Sequence, residues 1–185
     1  MDNNTLIAVV VAVVVVAAAV ALLLTRRRHS DALRARFGPE YDRAVASAGK
    51  VGAAERILDE RAKRVAQFNL RPISADEAER FTNSWKTVQA RFVDEPRTAV
   101  VEADRLIAEV MRARGYPIDD PEKRIDDLSV EHGHVIEHYR AGRAIVVRHA
   151  QGQATTEDLR QAMVHFRELF EELVARARSE VRRAS

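Results

Sequence analysis

Residues 6–24 read LIAVVVAVVVVAAAVALLL, and residues 25–28 read TRRR. The first string holds 19 residues without a charge or a strongly polar group. Wound as a helix it would be about 28 Å long, close to the roughly 30 Å apolar thickness of a bilayer. The reading is a transmembrane helix over 6–24, behind a short extracytoplasmic tail at 1–5. Everything after it is then one domain beside a membrane.

Orientation follows from the flanks. Arg and Lys near a span stay on the cytoplasmic side. Arg26, Arg27, Arg28, Arg34, Arg36 and Arg43 follow the span, while Met1-Asp2-Asn3-Asn4 has neither Arg nor Lys. We expect the N-terminus outside and the C-terminal domain in the cytoplasm. A cleaved signal peptide would need a positive leader and a small-residue cleavage site. Here Asp2 precedes the apolar run and Thr25 with three arginines follows it. Arg26, Arg27 and Arg28 therefore fix topology at the membrane surface. They can also meet anionic headgroups, for about 1 kcal/mol per residue close to the surface.

Composition narrows the rest. About 160 residues remain after the tail and span, the size of one ordinary domain. The net charge is +2, from 30 basic and 28 acidic residues. That balance lacks the basic excess of a nucleic-acid binder. With no cysteine there is no disulfide framework and no thiol chemistry.

Helical spacing runs through the remainder, and no stretch alternates with period two. Short helices are expected from Ser30 to about Phe37, ending at Gly38-Pro39, and from Glu40 to Ala48. A longer one covers about Ala53 to Phe68. Ser74-Ala75-Asp76-Glu77 fits a capping box opening the next. Phe81, Trp85, Val88 and Phe92 then fall on one face as core. Asp94 is the expected cap of a helix with Pro96 in its first turn, stopped by Gly115. A short helix to about Leu128 is followed by a longer one from about Val130 to Ala150. Thr155-Thr156-Glu157-Asp158 caps the last. There Leu159, Met163, Phe166, Phe170, Leu173 and Ala177 alternate steps of four and three, the seam of a bundle or coiled coil. The fold class is all-α: an N-terminal transmembrane helix, a basic juxtamembrane segment over 25–50, and a bundle of four to five longer helices over 51–185.

The sharpest chemical string is His134-Val135-Ile136-Glu137-His138, which matches the H-x-x-E-H pattern of one zinc peptidase class. Histidines at i and i+4 on a helix can share a zinc and leave the glutamate to act on its water. That class needs a further carboxylate ligand well downstream, where only 47 residues remain, and a substrate-binding sheet, which the pattern does not predict. A non-catalytic metal site at His134 and His138, with His132 or Glu131 added, is the milder version. The reading taken is that both histidines lie on the solvent or boundary side of an amphipathic helix whose buried stripe is Val135, Tyr139, Gly142 and Val146. Asp119, Asp120, Asp126 and Asp127 lack the spacing of a calcium loop. The glycines are too scattered for a phosphate cradle. Ala8/Ala12 and Ala17/Ala21 are small residues four apart, the spacing that lets two membrane helices pair as a homodimer.

Residues 34–43, RARFGPEYDR, resemble the juxtamembrane signature of a family of uncharacterised single-pass membrane proteins of high-GC bacteria. Residues 88–94 (VQARFVD), 114–117 (RGYP), 138–140 (HYR) and 156–163 (TEDLRQAM) are similar to it as well. The resemblance implies the bacterial inner membrane and the same architecture, and brings no activity, substrate or cofactor. The function expected is a membrane-anchored helical interaction or scaffold protein, without catalysis and without a cofactor. Its partners would be the bilayer, anionic lipid, a second copy of itself and a protein still to be identified, but no nucleic acid. The alternatives are a metal- or small-ligand-binding domain using His134 and His138, or an envelope-facing domain if the topology is reversed.

Overall fold

The apolar run and the arginines after it belong to one continuous helix. In the computed structural model this is α1, Asn3–Phe37. The structure describes the backbone of residues 3–184, and the side chains of residues 11–121 and 123–175. α2 (Pro39–Ala48), α3 (Val51–Val65), α4 (Ala75–Arg91), α5 (Pro96–Ala113), α6 (Pro121–Glu131), α7 (Ile136–Ala150) and α8 (Thr156–Ala184) follow. Among the described residues every regular element is a helix, and the fold class is all-α.

Side chains from Val11 to Leu24 are exposed all round the helix. Among the described residues no helix is long and apolar enough to cross a membrane. The side chains of Leu6 to Val10, which begin the 6–24 run, lie outside the described residues, as do those of Ala8 and Ala177. The fourteen residues from Val11 to Leu24 would span about 21 Å, short of the bilayer core.

The segment expected to be a separate helix from Ser30 is the C-terminal end of α1. Nothing between Leu24 and Phe37 breaks it, because neither Gly nor Pro occurs there. Its last turns carry Leu33 and Phe37 into a core shared with Tyr41, Ala44, Ala54, Leu58, Val65 and Val130. This smaller core binds α1, α2 and α3 to one side of α6. The larger core is built by α4 to α8, with Ile107, Met111, Leu128, Ile136, Tyr139, Phe166 and Leu169 at its centre. α7 and α8 form the most extensive helix pair. Phe68 and Leu70, in the stretch after α3, pack on both cores.

Local signals set most boundaries. The capping box at α4 is present: Ser74 Oγ accepts from the Glu77 amide at 3.2 Å, and the Ser74 amide donates to Glu77 Oε2 at 2.7 Å. At α8, Thr155 Oγ1 accepts from the Asp158 amide at 3.1 Å, and the Thr155 amide donates to Asp158 Oδ2 at 2.8 Å. Gly115 ends α5 with φ +93°, and the Tyr116 amide closes the turn onto Met111 O at 3.0 Å.

Two boundaries differ from expectation. The residue before α5 is Glu95, with no side-chain cap, and not Asp94. The Asp94 amide bonds back to Arg91 O at 3.2 Å, so that residue belongs to the turn closing α4. The single helix expected over 130–150 is broken at residues 132–135 into α6 and α7. Gly133 sits in that break, against the end of α1. A Cβ built there would lie 2.4 Å from the Phe37 carbonyl oxygen.

Candidate functional site

The junction between the apolar half of α1 and the folded helices carries the arginines that the sequence reading selects. Arg26, Arg27 and Arg28 are exposed on α1, immediately before its packed end. The next turn is tied to the domain. Ser30 Oγ donates to Glu55 Oε1 at 2.5 Å, and Tyr41 Oη donates to the same oxygen at 3.0 Å. His29 Nε2 lies 3.1 Å from Asp59 Oδ2. The Arg34 guanidinium stands 4.9 Å from the centre of the Tyr41 ring, within cation–π range. Burial and then the Glu55 carboxylate push the Tyr41 phenol above its ordinary pKa, so it stays a donor. The arginines are thus held on a helix fixed to the domain, with no flexible linker between.

Behind this junction lies a carboxylate that no motif or spacing singles out. Glu40, in the first turn of α2, is 2 % exposed. Its Oε1 accepts from Arg61 of α3 at 2.9 Å and from Arg140 of α7 at 2.6 Å. Arg61 also reaches Asp126 of α6 at 2.7 Å. Arg64 Nε donates to Asp127 at 2.7 Å. Burial still holds the Asp127 carboxyl above its ordinary pKa, because desolvation outweighs the pull of Arg64. In the larger core Tyr139 Oη donates to Asp104 Oδ1 at 3.0 Å, and Arg143 donates to Asp104 Oδ2 at 2.7 Å. Burial, then the Asp104 charge, push the Tyr139 phenol upward. The nearest sequence signal for Glu40 was an acid in a first turn after Gly38-Pro39, which ordinarily marks only a helix dipole.

The histidines of the H-x-x-E-H string are divided between different partners. His134 lies in the break between α6 and α7, exposed, with Nε2 3.6 Å from Glu172 Oε2. His138 is on α7, with Nδ1 3.2 Å from His165 Nδ1 of α8. The i and i+4 geometry that would let both share one zinc depends on a continuous helix, and the chain breaks between them. Among the described residues no group of three or more His, Asp or Glu is placed to hold a metal ion. His132 is fully buried, its Nδ1 3.3 Å from Glu172 Oε1. Val135, Tyr139 and Gly142 are buried and Val146 is half-buried, as the amphipathic reading requires.

No family model, no curated protein and no solved structure matches this chain.

Proposed function

We propose that this protein is a membrane-anchored helical interaction protein, with one span over residues 6–24 and its helical domain held at the cytoplasmic surface. The observation that carries the reading is the continuity of α1. The helix that exposes Val11, Val13, Val14, Val15, Val16, Val20, Leu22, Leu23 and Leu24 ends by burying Leu33 and Phe37 in the domain core. A contiguous apolar surface of that extent needs a cover, and three exposed arginines stand where the cover must end. Bilayer hydrocarbon followed by anionic headgroups fits both. The resemblance of residues 34–43 to single-pass membrane proteins of high-GC bacteria supports the same placement.

The role as a scaffold or adaptor, without catalysis, rests on how the buried polar groups are used. Glu40, Asp104 and Asp127 each hold helices together through arginines.

The chain has no cysteine, so a single introduced thiol reports its own side of the membrane. Asn4→Cys should react with an impermeant maleimide on intact cells, and Ser185→Cys only after lysis. The reverse pattern overturns the orientation, and extraction of the full-length chain by alkaline carbonate overturns the span. In-cell crosslinking of the tagged chain tests the interaction role: the reading expects a recurrent membrane or cytoplasmic partner that is lost when 51–185 is deleted.

A further inference from the structure

We propose that the outward side of α3 is a binding surface for anionic phospholipid headgroups, with Arg56 and Lys63 as its cations and Arg26 of α1 beside them. This deepens the anchoring reading and rests on it. α3 has four sides, and its neighbours define three of them. Ala54, Leu58 and Val65 enter the smaller core. Glu55 and Asp59 turn to α1, where they meet Ser30 at 2.5 Å and His29 at 3.1 Å. Arg61 and Arg64 turn to α6, where they meet Asp126 and Asp127, each at 2.7 Å. Gly52, Arg56, Glu60 and Lys63, at steps of four, four and three, make the fourth side, and all are exposed.

The contacts with α1 give that side its direction. Residues one turn apart on α3 meet adjacent residues of α1, so the two helices cross and do not run side by side. The core that α3 covers also receives Leu33 and Phe37, which follow His29 and Ser30 along α1. The core therefore lies beyond α3 from the apolar run, and the fourth side, opposite the core, faces back toward Leu24. The crossing is about 8 Å of helix rise from Leu24. The polar layer outside the hydrocarbon of a bilayer is about 5–8 Å deep. With α1 as the span, the fourth side stands in that layer. Its charge fits: Arg56 and Lys63 have no ion pair to any described residue, and Glu60 is the single acid among the four. Arg26 lies one turn before His29 and Ser30, over the crossing. Anionic headgroups attract cations held this close to the surface.

The chain has no cysteine, so a nitroxide on one introduced thiol reports one depth. A Cβ at Gly52 meets nothing within 4 Å, and Gly52→Cys leaves the charge of the surface unchanged. Val14→Cys marks the span. The full-length protein is reconstituted in vesicles of phosphatidylcholine and phosphatidylglycerol at three to one, and collision of each label with a water-soluble nickel chelate is measured. The label at 14 should be shielded from nickel, and so should the label at 52. Arg56→Gln with Lys63→Gln keeps good helix formers at exposed positions, so far-UV circular dichroism should be unchanged, and nickel collision at 52 should rise at least about threefold. A label at 14 open to nickel overturns the span and this surface with it. With the label at 14 shielded, equal collision at 52 with and without the two cations overturns this inference alone. Equal shielding at 52 in vesicles of phosphatidylcholine alone overturns it as well.

Discussion

Arg140 of α7 donates from Nη2 to Oε1 of Glu40 in α2 at 2.6 Å, across one hundred residues of sequence. Arg61 of α3 donates to the same oxygen at 2.9 Å. One nearly inaccessible carboxylate therefore joins three helices: two from the layer that holds α1, and one from the larger core. The exposed surface links beside it, Arg36 to Glu131 at 2.9 Å and Arg43 to Glu137 at 3.3 Å, run between the same two layers. Surface pairs of that kind contribute little. The buried link is where the attachment of the α1 end to the bundle is decided.

Replacing Glu40 by Gln keeps the shape and removes the charge. Arg61 and Arg140 are then left facing one another, each about four-fifths buried. Breaking a buried pair from one side costs more than the pair contributes, and here the expected loss is about 2–3 kcal/mol. Arg140→Met should cost less, because Arg61 still serves the carboxylate. Urea denaturation of the full-length chain in detergent, followed by helicity, measures both. Equal small losses below about 0.5 kcal/mol would remove Glu40 from its role as the tie.

Gly133→Ala tests the contact between the end of α1 and the break in the bundle. The new Cβ would meet the Phe37 carbonyl oxygen at 2.4 Å and its carbonyl carbon at 2.8 Å. Both are backbone atoms at a helix end, so no side chain can swing away. The expected cost is about 2–3 kcal/mol, in the upper range of overpacking. The damage should be local: limited proteolysis should cut between α1 and α3 before it cuts α7 or α8. Protection equal to the wild-type chain would mean that Phe37 and Gly133 are not in contact in solution.

Much of this fold was legible because its signals are local. The capping box at Ser74, the stop at Gly115 and the seam from Leu159 to Leu173 each act within one or two turns, and each is where the residues imply. The break at 132–135 was not legible, because the contact made there is between Gly133 and the backbone of Phe37, far apart in the chain. A lone glycine between two histidines does not announce that another helix end presses on it. The partnering of His138 with His165 was hidden in the same way, since it requires the register of α7 on α8. Glu40 is the harder case. Nothing local separates a buried first-turn acid from a solvated one.

Ser74→Ala should cost about 1 kcal/mol, the ordinary value for a lost helix N-cap. The Glu77 amide loses its acceptor at Ser74 Oγ, while the Glu77 carboxylate keeps the backbone amide of residue 74 and Arg71, which donates to its two oxygens at 2.8 and 3.0 Å. Arg71, and then the Ser74 amide, hold the Glu77 carboxyl down to about 2 from its ordinary 4.5. A depressed acid adds stability that is present above the unfolded value and lost as pH falls from about 4.5 toward 2. Glu77→Gln should therefore flatten the stability curve in that acid window and leave its shape near neutrality unchanged. An unaltered acid limb would refute the assignment.

The pair of His138 and His165 sets a second pH dependence, of the same sign but near neutrality. Their Nδ1 atoms are 3.2 Å apart, so the contact needs at least one neutral ring to accept a hydrogen bond. Burial, and then the charge of His138, lower the pKa of His165 below the ordinary 6.5, against the opposing pull of Glu168. The unfolded chain then binds more protons than the folded one just below that value. Stability from this group is complete above about 6.5 and declines as pH falls through the lowered value. α7 and α8 are the most extensively paired helices, so the loss should register as global unfolding. Denaturation at pH 7.5 and 5.5 should show a drop for the wild-type chain. His165→Gln, which stays neutral and can still hydrogen-bond His138, should show a smaller one. An identical drop in both would place the titrating group elsewhere.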